Sequence, residues 1–388
     1  MDRRIVEPPV SVSFVVAELA VRAPELARTG VECEGQDMAD GERSTTQRDR
    51  DVGLMRRALE LAARGPVGDP NPRVGAVIVD QDGAVVGEGF HQGAGTPHAE
   101  VMALRQAGPA ARAGTAVVTL EPCAHTGRTG PCTQALIEAG VARVVFAQCD
   151  PTPSAHGGRT LLEAAGVATT AGVLGQESAD MNDAWTFSFV HGRPKVTWKF
   201  AATLDGRSAA ADGSSRWITG PQARGDVHRL RAQCDAILVG TGTLIADDPA
   251  LTVRGPDGHS AARQPLRVVM GLRPIPAAAR MRDLAGAIVH LATHDPTEAL
   301  KALGEKEIHH VWLEGGPTVA AAFLGAGLVD EVIAYLAPVL LGAGAPAVGN
   351  LGIRNIDQGL RLAPHEVTMI GPDIRIRATI AATGREGR

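Results

Sequence analysis

From Leu54 onward the chain alternates between stretches with apolar residues at helical spacing and short, continuous apolar runs. Leu54–Arg64 (LMRRALELAAR) carries apolar residues three and four positions apart, which predicts a helix. Val74–Val79 (VGAVIV) and Val85–Gly89 flank Asp82-Gly83 and read as a β-hairpin. A helix follows over His98–Ala107, then a strand at Thr115–Leu120, a helix at Thr133–Ala139 and a strand at Ala142–Ala147. Leu161–Ala165 reads as a further helix, with Gly166 as its C-terminal glycine. The order β-β-α-β-α-β-α predicts a layered α/β unit, its first strands antiparallel and its later ones parallel.

A second unit begins near Arg193, and the boundary is expected between Asn182 and Pro194. Its strands read as Val196–Ala202, Ala236–Val239, Leu266–Met270, Ala287–Leu291 and His309–Leu313, with closing strands at Glu331–Leu336 and Asp373–Thr379. Helices are expected at Gln222–Gln233 and Pro317–Gly325, so the sheet is expected to be mostly parallel. No G-x-G-x-x-G follows a strand with an acidic residue about twenty positions on, so a Rossmann dinucleotide site is not indicated.

The first fifty residues change the picture. Ser11–Val21 is apolar and follows Arg3 and Arg4, but Glu18 interrupts it and no small-x-small cleavage site follows. Glu32–Asp51 is polar and charged, with little to bury, and reads as disordered. The expected division is an extension over 1–50, one domain over 51–190 and another over 191–388. At 388 residues with 44% hydrophobic content, the chain can fill two cores. Aromatics are only 3%, so packing falls to Val, Leu, Ile and Ala.

The formal charge of -5 argues against a nucleic-acid partner, which would call for a basic surface. No run of roughly twenty apolar residues predicts a membrane span. Five scattered cysteines do not form a disulfide framework, and a reducing, cytoplasmic setting is the simpler expectation.

Two of those cysteines carry chemistry. Pro97-His98-Ala99-Glu100 is followed by Glu121-Pro122-Cys123 and then Cys132. One imidazole and two thiolates suit Zn²⁺ and leave a fourth position open to water, whose pKa the metal lowers. Glu100, two residues past His98 at the start of a helix, is placed to take a proton from water and hand it to a leaving amine. This is the zinc deaminase pattern, H-x-E with a P-C unit and a second cysteine. Its nucleobase-editing form has C-x-x-C, whereas eight residues separate Cys123 from Cys132 here. A Gly-rich loop, Ala124–Pro131, can fold back and set Cys132 at the next helix start, where the dipole favours thiolate. Any one of these residues alone would read as structural, and a structural zinc site would have no use for Glu100.

Asn71-Pro72-x-Val74-Gly75, Gly87-Glu88-Gly89-Phe90-His91, His98-Ala99-Glu100 and the stretch Glu121–Cys132 occur in that order. Together they resemble the deaminase half of the bifunctional deaminase/reductase family of riboflavin biosynthesis, which shares the wide cysteine spacing. Lys199–Arg207 (KFAATLDGR), Ser215–Thr219, Gly240–Arg254 and Glu314-Gly315-Gly316-Pro317-Thr318 resemble its reductase half. The resemblance implies a cytidine-deaminase-like three-layer domain followed by a dihydrofolate-reductase-like domain. It implies zinc on His98, Cys123 and Cys132, a proton shuttle at Glu100, and Asn71, His91 and His125 near the pyrimidine or its ribose phosphate.

For the second domain it implies NADPH contacts at Ala201, Trp217, Thr243, Asp247 and the turn Gly316, Pro317, Thr318, Val319, Ala320, Ala321 and Ala322. Substrate contacts are implied at Ser215, Arg231, Leu251, Arg254, Glu314 and Lys199, with Arg231 and Arg254 able to clamp a ribose phosphate. The reactions implied are deamination of a diaminopyrimidine ribosylamine phosphate, then reduction of its ribosyl group to ribityl. A homo-oligomer joined through the reductase half is implied too. The chain departs from the family at Thr152 and in the loop Ser154–Arg159. Read from the residues alone, a stand-alone deaminase and a zinc-stabilised nucleotide-binding module remain open.

Overall fold

The computed structural model describes residues 45–125, 130–152 and 157–381. Most of the N-terminal extension, Gly127 and Thr129 of the cysteine loop, and His156 lie outside the described residues.

The first sheet has five strands in the order β2-β1-β3-β4-β5, with β1 Gly75–Val79, β2 Val85–Phe90, β3 Thr115–Leu120, β4 Arg143–Gln148 and β5 Ala168–Ala171. β1 pairs antiparallel with β2 and β3, and β3, β4 and β5 run parallel, as expected. Successive residues of β1 serve opposite faces: Ala76 and Ile78 join one core, Val77 and Val79 the other. β4 does the same, with Val144 and Phe146 against Val145 and Ala147. Two buried faces need two helical layers. One is α1 (Thr45–Ala62), with Met55, Ala58 and Leu61 in its core. The other comprises α2 (Ala99–Ala107), α3 (Cys132–Ala139) and α4 (Gly158–Ala164). The three-layer expectation holds.

α1 starts at Thr45, inside the stretch expected to be disordered, which corrects that end of the expectation. The cause is a buried anchor. Asp51 is 2% exposed and takes two hydrogen bonds from Arg143 on β4, at 2.9 and 2.6 Å.

The span expected to join the halves is helical: α5 (Gly175–Met181) leads into α6 (Asp183–His191). The second sheet has eight strands in the order β12-β13-β11-β6-β10-β7-β8-β9. β6 (Lys195–Thr203), β7 (Ala236–Gly240), β8 (Leu266–Met270), β9 (Ile288–Leu291), β10 (His310–Leu313) and β11 (Glu331–Ala337) run parallel to one another, with β9 at one edge. β12 (Leu362–Ile370) and β13 (Asp373–Ile380) close it antiparallel. Helices α7 (Pro221–Arg231), α8 (Thr241–Asp247), α9 (Pro296–Gly304) and α10 (Pro317–Gly325) cover it, and its two faces feed separate cores.

Candidate active site

The start of α2 is fixed by how closely it lies on β2. Gly87 and Gly89 face the helix backbone, and a Cβ on Gly89 would stand 2.3 Å from the Ala99 carbonyl oxygen. That approach puts His98 at the N-cap of α2 and Glu100 in its first turn. Cys123 leaves the end of β3, and Cys132 is the first residue of α3. The donor atoms of His98, Cys123 and Cys132 lie within 4.8 Å of one another. His98 Nδ1 is 3.1 Å from Cys132 Sγ and 3.7 Å from Cys123 Sγ.

The Cys132 backbone N–H also donates to Cys123 Sγ at 3.4 Å. The Cys123 thiol is drawn down to about 4, first by the Cys132 thiol and then against the cost of burial. One borderline nitrogen and two soft sulfurs, with His98 and Cys132 at helix starts, fit zinc and leave a fourth position. Glu100 is 4% exposed, and burial pushes its carboxyl up from the ordinary range.

Beside this cluster, His91 and Asn71 form a pair. His91 Nδ1 faces the Pro97 carbonyl at 3.3 Å, which can only accept, so that nitrogen carries the proton. Nε2 then accepts from Asn71 Nδ2 at 3.1 Å and leaves the Asn71 carbonyl for a ligand. Burial lowers the His91 pKa, in keeping with a neutral ring. His125 Nδ1 is buried without a hydrogen-bond partner among the described residues.

Two carboxylates that sequence reasoning left without a role brace the site. Glu121 accepts from the backbone N–H of Asp150 at 3.3 Å and of Arg159 at 2.9 Å. Asp150 is buried and accepts from the Thr152 N–H and hydroxyl at 2.8 and 2.7 Å. Glu121 stands in the Glu121-Pro122-Cys123 motif, but nothing in the sequence assigned this bracing role to it or to Asp150.

In the second unit the implied residues gather at the carboxyl ends of parallel strands, where α/β sheets bind ligands. Gly316 caps α10, and its N–H donates to Thr243 Oγ1 at 3.0 Å, joining the starts of α8 and α10. Gly240 and Gly315 leave room for Val319, because a Cβ on either would stand 2.5 or 2.8 Å from that side chain. The Thr318 and Val319 N–H groups have no intrahelical partner and lie at the positive end of the helix, suited to a cofactor phosphate.

Glu314 takes two hydrogen bonds from Arg231, one at 2.7 Å, and one from the Trp312 indole at 2.5 Å. Arg231 also donates to the Thr252 carbonyl at 3.1 Å. Of the two arginines expected to clamp a phosphate, only Arg254 is exposed, because the half-buried Glu314 carboxylate claims the other. Lys199 faces this pair from β6, and burial lowers its ammonium pKa. Trp217 is 70% exposed under the Arg224 guanidinium, and Asp247 accepts Arg216 on its carbonyl. Ser215 and Ala201 are half-buried. The side chains of Leu251 and Ala320 belong to the core, so contacts there fall to backbone; Leu251 has φ +49°.

A His/Cys/Cys cluster with a buried glutamate, joined to a mostly parallel sheet whose α10 opens on a Gly-Gly-Pro turn, defines a zinc-dependent deaminase fused to a reductase. Residues 48–148 match the cytidine and deoxycytidylate deaminase zinc-binding region, and residues 194–376 match the RibD C-terminal domain. The chain is 51% identical to riboflavin biosynthesis protein RibD of Mycobacterium tuberculosis over 306 residues, covering 79% of this chain and 90% of that one. Against RibD of Escherichia coli it is 42% identical, covering 84% and 98%. The solved structure of Acinetobacter baumannii RibD superposes with a TM-score of 0.79 at 40% identity, covering 86% of this chain and 100% of that one.

A Thermotoga maritima structure described as a diaminohydroxyphosphoribosylaminopyrimidine deaminase/5-amino-6-(5-phosphoribosylamino)uracil reductase gives a TM-score of 0.77 at 31% identity, again covering 86% and 100%. The chain belongs to the RibD family of bifunctional riboflavin biosynthesis enzymes. It deaminates and then reduces, using zinc and NADPH.

Proposed function

We propose that Glu100 is the acid–base group of the deamination and that His98, Cys123 and Cys132 hold the zinc. The observation that carries this is the convergence of three donor atoms within 4.8 Å, with a buried carboxylate two residues past the histidine. Bound there, zinc supplies Lewis acidity that makes water a nucleophile at neutral pH. Glu100 accepts the proton of that water and returns it to the departing amine. Its raised pKa suits both directions of transfer. Asn71 and His91 orient the pyrimidine, and His125 Nδ1 takes a polar group of the ligand.

The substrate is a diaminopyrimidine ribosylamine phosphate, a reading supported by the Thermotoga relative's description. The aminouracil product then meets NADPH in the second unit. Thr243, Asp247, Ala201, Trp217 and the Gly316–Ala322 turn hold the cofactor, while Ser215, Leu251, Arg254 and Lys199 line the ribosyl group and Arg231 orients Glu314. The working division is a deaminase domain over 51–190 and a reductase domain over 191–388. A cytoplasmic setting accords with the described residues, among which no helix is long and apolar enough to cross a membrane. Exposed Val367 and Met369 on β12 support self-association through the reductase half.

Glu100→Gln tests the central assignment. The variant should keep its zinc, measured by atomic emission, while ammonia release falls by roughly a thousandfold. Unchanged ammonia release with zinc retained would make the metal structural.

A further inference from the structure

The deaminase loop that carries Asn71 rests on the reductase domain. His309 immediately precedes β10, and its backbone is held rigidly: its N–H donates to Asp235 Oδ2 at 2.9 Å, and its carbonyl accepts from the Lys195 N–H at 2.8 Å. Its ring reaches out of the reductase sheet. Nε2 lies 3.2 Å from the Pro70 carbonyl oxygen, which can only accept, so Nε2 carries the proton. Nδ1 lies 2.6 Å from the Ser188 hydroxyl on α6, which fixes the ring's orientation from the other side.

A second reductase residue presses on the same loop. The Arg263 guanidinium donates to the carbonyls of Ala232 and Cys234, both at 2.9 Å, and to Asp235. So placed, it lies against Gly68, where φ is +67° and an added Cβ would overlap Arg263 Nη2 at 1.4 Å. Asp235 thus holds both His309 and Arg263. Between Gly68 and Pro70, Asp69 accepts from the N–H groups of Asn71 at 3.0 Å and Ala94 at 3.1 Å. Asn71 then donates to His91. An unbroken path runs from the reductase sheet through His309 and Pro70 to the pair that faces the pyrimidine.

We propose that His309 is a positioning residue for deamination: from the reductase domain it holds the Pro70 carbonyl, and through it sets Asn71 against the substrate. The proposal rests on the deaminase reading above, in which Asn71 contacts the pyrimidine. His309 lies at the amino end of β10, whereas the cofactor crevice lies at the carboxyl ends, so the reductase reaction does not depend on it. The zinc ligands are not on this path, so the effect falls on substrate binding.

The test uses the full-length zinc enzyme. His309→Ala should raise the deaminase KM about tenfold. Zinc content should be unchanged, and NADPH-dependent turnover of the aminouracil should stay within about twofold of wild type. His309→Gln, whose amide N–H can reach the Pro70 carbonyl, should recover most of the loss. In an Asn71→Ala background the same change should add less than about twofold, since both act through one contact.

A wild-type KM in His309→Ala would overturn the proposal alone. So would an equal fall of both activities, no recovery in His309→Gln, or full multiplication in the double variant. Failure of the wild-type enzyme to release ammonia from the diaminopyrimidine would instead overturn the underlying reading, and the proposal with it.

Discussion

Burial alone would push the Glu314 carboxyl up, yet Arg231, Lys199 and the Trp312 indole outweigh it and hold the group down to about 2. A carboxyl depressed on folding stabilises fully above the ordinary carboxylate range, and the contribution is lost as pH falls through about 2. The pair with Arg231 therefore stays formed across neutral and mildly acid solution, and an acid limb in reductase activity above pH ~4 would come from another group. Glu314→Gln leaves the Arg231 guanidinium buried without a counter-charge and removes the anion facing Lys199. The expected cost is about 3 kcal/mol, read from urea unfolding. NADPH turnover should be lost while ammonia release persists. Unaltered stability would mean that Arg231 finds another partner, and the ion-pair account would fall.

At the scale of elements, the deaminase site depends on how closely α2 approaches β2. A Cβ added at Gly89 would stand 2.3 Å from the Ala99 carbonyl oxygen and 2.6 Å from the Ala103 nitrogen, both backbone atoms that cannot swing aside. Gly89→Ala must lift the start of α2, and with it His98 and Glu100. Loss of zinc on dialysis and a fall in melting temperature of roughly 5 °C are expected, whereas a tightly held metal would contradict this origin of the site. The glycines were visible in the sequence as part of a motif, but their reason was not, because the clash involves a helix ten residues further on.

The same holds more widely. Strands buried on both faces, such as β1, β3 and β4, announced themselves as apolar runs, and α10 was readable to the residue because Gly-Gly-Pro marks its start. β12 was not readable: it is an edge strand with exposed positions throughout its first half and Pro364 at a register shift, so burial leaves no imprint on its pattern. α8 starts Thr-Gly-Thr and is short, and α6 buries only Trp185, which left both looking like connections. The zinc ligands were legible because metal chemistry restricts residue types and spacing. The roles of Glu121 and His309 were not, since Glu121 binds the backbone N–H groups of Asp150 and Arg159 and His309 meets Pro70 and Ser188, partners far away in the chain that no local pattern encodes.

Across the whole molecule, the two sheets are joined by α6 and by contacts that belong to neither site alone. Lys195 of β6 pairs with Asp183 of α6, and His309 meets both Ser188 of α6 and Pro70 of the deaminase loop. The zinc ligands belong to the first unit and the proposed cofactor residues to the second, so each half-reaction is expected to be stopped by its own variants. The most direct measurement is a coupled assay on the purified enzyme with the diaminopyrimidine ribosylamine phosphate, following ammonia and NADPH absorbance with and without a zinc chelator. Ammonia should appear first and NADPH oxidation should follow. Chelation should stop both, and supplying the deaminated aminouracil should restore NADPH oxidation alone. Undiminished NADPH oxidation from the diaminopyrimidine after zinc removal, or ammonia release never followed by NADPH oxidation, would contradict the account.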